Sequence, residues 1–204
     1  MRTVGLMVLM MGLAGCVSLP PGVFPPVAAA DLLAGRGVIA ASEEPLPSAD
    51  ILQVSSGMHS FIDRQRRQEG FSRRPLEGLL IGMRREGLLQ LEYDSLETLT
   101  AAETYYQRRG NCLSYTNLII ALAREIGLEA RYQLVAAPEI LEREKDAVLV
   151  YRHINALVQV HRGRRFEVDF NAERNRDEYE RVLVSDDYAR ALYYSNLSAL
   201  AILR

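Results

Sequence analysis

The hydrophobic rhythm of this chain changes between Cys112 and Phe170, and that change limits what it can fold into. Cys112, Tyr115, Thr116, Ile119, Leu122, Ala123 and Ile126 recur at the i, i+3, i+4, i+7 spacing of an amphipathic helix, and Gly127 stops it. Beyond Gly127 the period falls towards two. Residues 130–136 read as a short strand. Residues 146–160 contain another, with Val148 and Val150 early and Ile154, Leu157, Val158 and Val160 later. A turn at Arg162-Gly163-Arg164 leads into Phe166, Val168 and Phe170, which alternate with Glu167 and Asp169. These last two strands are expected to form a hairpin. Upstream, Ser48-Ala49-Asp50 reads as the cap of a helix carrying Ile51, Leu52, Val54, Met58, Phe61 and Ile62. Leu76, Leu79, Leu80 and Met83 mark a second helix ending near Gly87. Thr100 with Glu103 has the spacing of a capping box for a third, ending near Arg109-Gly110. Residues 187–203 are helical again. Helices followed by strands predict an α+β domain with a helical N-terminal half and the Cys112 helix packed on an antiparallel β-sheet.

The first residues belong to something other than the fold. Arg2 precedes an apolar run from Val4 to Leu13, which has signal-peptide length. The run ends in Leu13-Ala14-Gly15-Cys16, which resembles the lipobox of bacterial lipoproteins. The resemblance implies that Cys16 becomes a lipidated N-terminus, and several acyl chains make stable anchoring. Val17 stands where Asp would suggest inner-membrane retention, so the expectation is an outer-membrane lipoprotein facing the periplasm. Pro20, Pro21, Pro25 and Pro26 make a semi-extended tether, and Pro45 and Pro47 mark its end. The expected organisation is a signal peptide over 1–15, a lipidated tether over 16–47, a domain over 48–185 and a C-terminal helix over 186–204.

A formal net charge of −2, with arginines scattered among acids, gives no footprint for nucleic acid, and no nucleic-acid partner is expected. Cys112, His153, His161 and Asp169 lack a compact metal-ligand spacing, so neither a metal nor a cofactor is expected. His161 reads as a surface residue, and His59 as surface or helix packing.

The chain has two cysteines. With Cys16 committed to lipid, Cys112 is left as a single thiol where a helix begins. A helix N-terminus and a nearby imidazolium both favour thiolate, the nucleophilic form. His153, on a later strand, supplies a base. Asp169, on the next strand of the expected hairpin, supplies the group that orients the base. Taken singly, each has a plainer reading: a small buried hydrophobe, a core-edge histidine, a solvent-facing carboxylate beside Glu167. Together they make nucleophile, base and orienter. The Cys112 backbone N–H would face the developing oxyanion, with Gln107 and Asn111 as candidate second donors on chemistry alone.

The run from Tyr105 through Gly110-Asn111-Cys112-Leu113-Ser114-Tyr115 to Ala130-Arg131 resembles the transglutaminase-like superfamily, as do His153-Ile154-Asn155-Ala156-Leu157-Val158 and Phe166-Glu167-Val168-Asp169. The resemblance covers about Thr98 to Asn171. It implies a papain-like core and a Cys112-His153-Asp169 triad acting on amides by proteolysis, deamidation, transamidation or removal of N-glycans from peptides. Some members have lost activity. The family often carries an aromatic two residues after the histidine, where this chain has Asn155, and that difference bears on the shape of the acyl pocket. The tail from Tyr188 to Leu197 is similar to the junction in bacterial relatives that continue into tetratricopeptide repeats. Two readings follow. The first is a cysteine acyl-transfer enzyme acting on a peptide or protein of the cell envelope. The alternative is an inactive module of the same fold that binds an envelope protein or peptide. A third reading is an intermolecular disulfide through Cys112.

Overall fold

A computed structural model of the chain describes residues 49–144, 147–160, 163–171 and 175–203. Cys16 and its leader, the tether and His161 lie outside the described residues.

Helix boundaries follow local chemistry wherever that chemistry is strong. Helix α1 is Ser56–Arg66, capped by Ser55, whose hydroxyl accepts from the Met58 N–H. The expected start at Ser48-Ala49-Asp50 is thus corrected. Asp50 closes only one turn, accepting from Leu52 N, and the Ile51 carbonyl is taken by Ala101 N instead of by a helix. Helix α2, Pro75–Arg85, has proline in its first turn, where no N–H is needed, and Gly87 follows at φ 72°. A two-residue strand β1, Glu92–Tyr93, comes next. Helix α3, Ala101–Gln107, carries the complete Thr100–Glu103 capping box. It ends earlier than expected because Arg108 turns left-handed at φ 60° and releases β2, Arg109–Gly110, to pair in parallel with β1.

Helix α4, Cys112–Glu125, is the centre of the fold. It was expected to have one apolar stripe, but every residue from Leu113 to Ala123 is buried. The reason is tertiary: α4 packs on β3 and β4 and also on α3 and α2, so its polar residues Ser114, Thr116 and Asn117 must be hydrogen-bonded inside.

The sheet is antiparallel with order β5-β4-β3-β6. Strand β3, Glu129–Glu144, runs well past the short strand expected, and it pairs with β4, Ala147–Gln159, through a register shift between Val135 and Ile140. Strand β5, Arg165–Val168, pairs with the end of β4 as the hairpin expectation required. It stops before Asp169, so Phe170 leaves the strand. Strand β6 is Arg181–Val184, and α5 is Asp186–Leu203.

The core joins α1, α2, α4 and the sheet through Met58, Phe61, Leu79, Leu118, Ile120 and Tyr132, all fully buried. Each large apolar side chain contributes about 1.5–3 kcal/mol by leaving water. Two polar links bind α5 to α4. Arg124, in the last turn of α4, makes paired contacts of 2.6 and 2.9 Å with Asp186 at the start of α5, each charge complementing its helix dipole. The Thr98 hydroxyl accepts from Asn111 Nδ2 at 2.6 Å and from Asn196 Nδ2 on α5 at 3.0 Å.

Candidate active site

Cys112 is the first residue of α4, and its thiol is partly buried and unpaired. Two local features put it there. Asn111 caps the helix, with Oδ1 accepting from the Ser114 N–H. Gly110 sits at φ 140°, and a Cβ on it would meet Ser114 Cβ at 2.6 Å. The Cys112 N–H lies in the first turn, where the helix offers it no acceptor.

His153 lies on β4, 1 % exposed. Its Nε2 is 2.7 Å from Asp169 Oδ2, with both side chains almost sealed from solvent. Asp169 lies just past β5, beyond the Ala156↔Val168 pair that closes the hairpin ladder. A carboxylate only accepts, so Nε2 carries the proton of the neutral ring and Nδ1 is the basic nitrogen. Nδ1 is buried without a hydrogen bond of its own. Burial alone would lower the proton affinity of His153. The hydrogen bond to Asp169 and the presence of Cys112 outweigh it and raise the pKa to about 9. The imidazole is therefore charged at neutral pH beside the thiol.

The expected donors divide. The Asn111 side chain is consumed, with Nδ2 on Thr98 and Oδ1 on Ser114, so Asn111 does not serve the oxyanion. Gln107, at the end of α3, accepts from Arg109 Nε at 3.4 Å. A residue that sequence reasoning missed stands near the thiol. Tyr93 OH is 4.0 Å from Cys112 Sγ, because the β1–β2 pair sets Tyr93 opposite Gly110. The Tyr93 ring stacks on Phe170 at 5.9 Å, and Phe170 stacks on Tyr115 at 3.8 Å. No periodicity announces a two-residue strand, so nothing in the sequence pointed to Tyr93. Asn155 was noticed only as a departure from a pattern. Its buried side chain turns to Asp169, with Nδ2 donating to Oδ2 at 2.9 Å.

Residues 89–161 match the core model of the transglutaminase-like superfamily. The matched segment begins just before β1 and ends just after β4. It thus contains Tyr93, Cys112 and His153 and stops short of Asp169. The α+β architecture agrees with it, with the Cys112 helix set against an antiparallel sheet. A candidate cysteine protease from Cytophaga hutchinsonii, known from a crystal structure, is 18% identical over 60% of this chain and has a TM-score of 0.33. The chain spans 45% of that protein's length. No curated protein matches the chain.

Proposed function

We propose that this protein is a cysteine acyl-transfer enzyme of the peptidase, deamidase or transamidase type, acting on peptide amides through Cys112, His153 and Asp169. The observation that carries the reading is the sealed His153–Asp169 contact of 2.7 Å, which leaves Nδ1 as the basic nitrogen of an imidazole whose pKa the thiol at a helix N-terminus is near enough to raise.

The steps follow from the groups present. In the resting site Nδ1 already holds the proton given up by Cys112, and the thiolate attacks the amide carbonyl carbon. The oxygen gains charge and is met by the Cys112 N–H and by the Tyr93 hydroxyl, which is near enough to swing onto it. The Nδ1–H then protonates the departing amine, leaving a thioester on Cys112. Water, or a second amine, gives its proton to Nδ1, attacks the thioester and releases the acyl group. Asp169 holds the ring in one tautomer throughout.

The leader supports a lipid anchor at Cys16 on the periplasmic face of the outer membrane, which would set a peptide or protein of the envelope before the site. Loss of membrane partition on Cys16→Ser tests the anchor separately.

The enzymatic reading is tested on full-length protein carrying Cys16→Ser, which leaves Cys112 as its single thiol. Incubation with the activated ester p-nitrophenyl acetate, followed by mass spectrometry, should find a transient acetyl group on Cys112. The His153→Ala variant should lose it while remaining folded. Equal acylation of parent and variant would defeat the reading and favour a binding module.

A further inference from the structure

Three donors converge on the Asp169 carboxylate. His153 Nε2 and Asn155 Nδ2 share Oδ2, at 2.7 and 2.9 Å, and the Asn171 N–H reaches Oδ1 at 2.8 Å. Because a carboxylate accepts and never donates, the nitrogen of the Asn155 amide must face it, and the amide oxygen must face away. That oxygen is buried and receives no hydrogen bond. Directly across the ladder, Gln133 on β3 pairs in register with Asn155, and its amide oxygen is likewise buried without a donor. A side chain kept for stability alone would not leave a polar atom unsatisfied at a site that an apolar residue of similar volume could fill. The contact Asn155 does make is with the group that orients the base.

We infer that Asn155 is a positioning residue for the proposed acyl-transfer site: it fixes the rotation of the Asp169 carboxylate so that Oδ2 stays in line with His153 Nε2. The inference rests on the reading of Cys112, His153 and Asp169 as a catalytic set, and it goes one residue beyond it. Asn155 lies two residues after His153 on β4, and Asp169 lies just past β5, so the amide bridges from one strand to the end of its neighbour. Without it, only the Asn171 N–H and His153 itself would hold the carboxylate, which could turn about its Cβ–Cγ bond. His153 would then lose both its fixed tautomer and part of its hold on the proton.

The test is ¹⁵N NMR of the imidazoles in the full-length chain carrying Cys16→Ser. The chain has three histidines, and single substitutions of His59 and His161 assign the third. In the parent, neutral His153 should show a single tautomer with the proton on Nε2. In Asn155→Leu, which keeps the branching of the side chain and removes the donor, two tautomers should coexist and the His153 titration midpoint should move down from about 9. A folded Asn155→Leu protein whose His153 tautomer and midpoint match the parent overturns the inference. If that variant fails to fold, the parent decides. The Asn155 side-chain amide protons should shift as His153 titrates and should move upfield in Asp169→Ala. Amide signals indifferent to both overturn it. The readout requires no turnover, so a failed acylation assay and a failed positioning role remain distinguishable.

Discussion

Asp169 Oδ2 lies 2.7 Å from His153 Nε2, and neither side chain exposes more than 6% of its surface. A charged imidazole in that setting depends on its carboxylate. Two measurable consequences follow from that dependence, and two more from the residues that seat the thiol.

Folding stability should fall with pH on the alkaline side. The folded pKa of His153, about 9, lies above the ordinary 6.5, so protonation favours the native state. The contribution is complete below about pH 6.5 and disappears as pH rises through 9. Its ceiling is on the order of 3 kcal/mol. Denaturant melts between pH 6 and 10 should show the decline in the parent and lose most of it in His153→Ala.

Acyl transfer should have an alkaline limb near pH 9, where Nδ1 loses the proton it gives to the departing amine. Iodoacetamide alkylation of Cys112 at pH 7 should slow by ~10-fold or more in His153→Ala, since the thiolate loses its paired cation. An alkylation rate that does not change in His153→Ala would show that the imidazole does not pair with the thiolate.

Tyr93→Phe keeps the ring stacked on Phe170 and removes the hydroxyl that lies 4.0 Å from the thiol. Acylation should fall by about 10²-fold, as for the loss of one oxyanion donor, while alkylation by iodoacetamide should hardly change. Alkylation reaches no oxyanion, so comparing the two rates separates transition-state stabilisation from thiol access.

Gly110→Ala should cost roughly 2–4 kcal/mol, from a side chain forced to φ 140° and a Cβ set 2.6 Å from Ser114 Cβ. Ser114 holds the Leu99 N–H and shares the cap with Asn111, so the strain lands on the first turn of α4. A lowered melting midpoint together with slower Cys112 alkylation is the expected result.

What the sequence made legible was local. Thr100 and Glu103 are three residues apart and satisfy each other without outside help, so the capping box could be read directly. The same holds for Gly127 at φ 84° after α4, and for Gly163 at φ 72° ahead of β5. The order of Cys112, His153 and Asp169 along one helix and two strands was enough to nominate them. Contacts set by register were not legible. Tyr93 meets the thiol only because two residues of β1 pair with two of β2, and Asn155 meets Asp169 only because β5 ends at Val168. The burial of α4 on all sides also depends on what surrounds it, and periodicity in one segment cannot report that. Asn111 illustrates the limit in a single residue. Its chemistry allowed oxyanion donation, but its neighbours Thr98 and Ser114 had already claimed both ends of the amide.

The Thr98 hydroxyl, shared by Asn111 and Asn196, gives the C-terminal helix a second role. A descendant that shed α5 would keep Cys112, His153 and Asp169 and every strand between them. It would lose the outer half of the support under the Asn111 cap and the Asp186 partner of Arg124 at the helix's other end. Both ends of the Cys112 helix would be loosened by one deletion far away in sequence. The seating of the Cys112 thiol therefore depends on α5 as well as on the cap beside it.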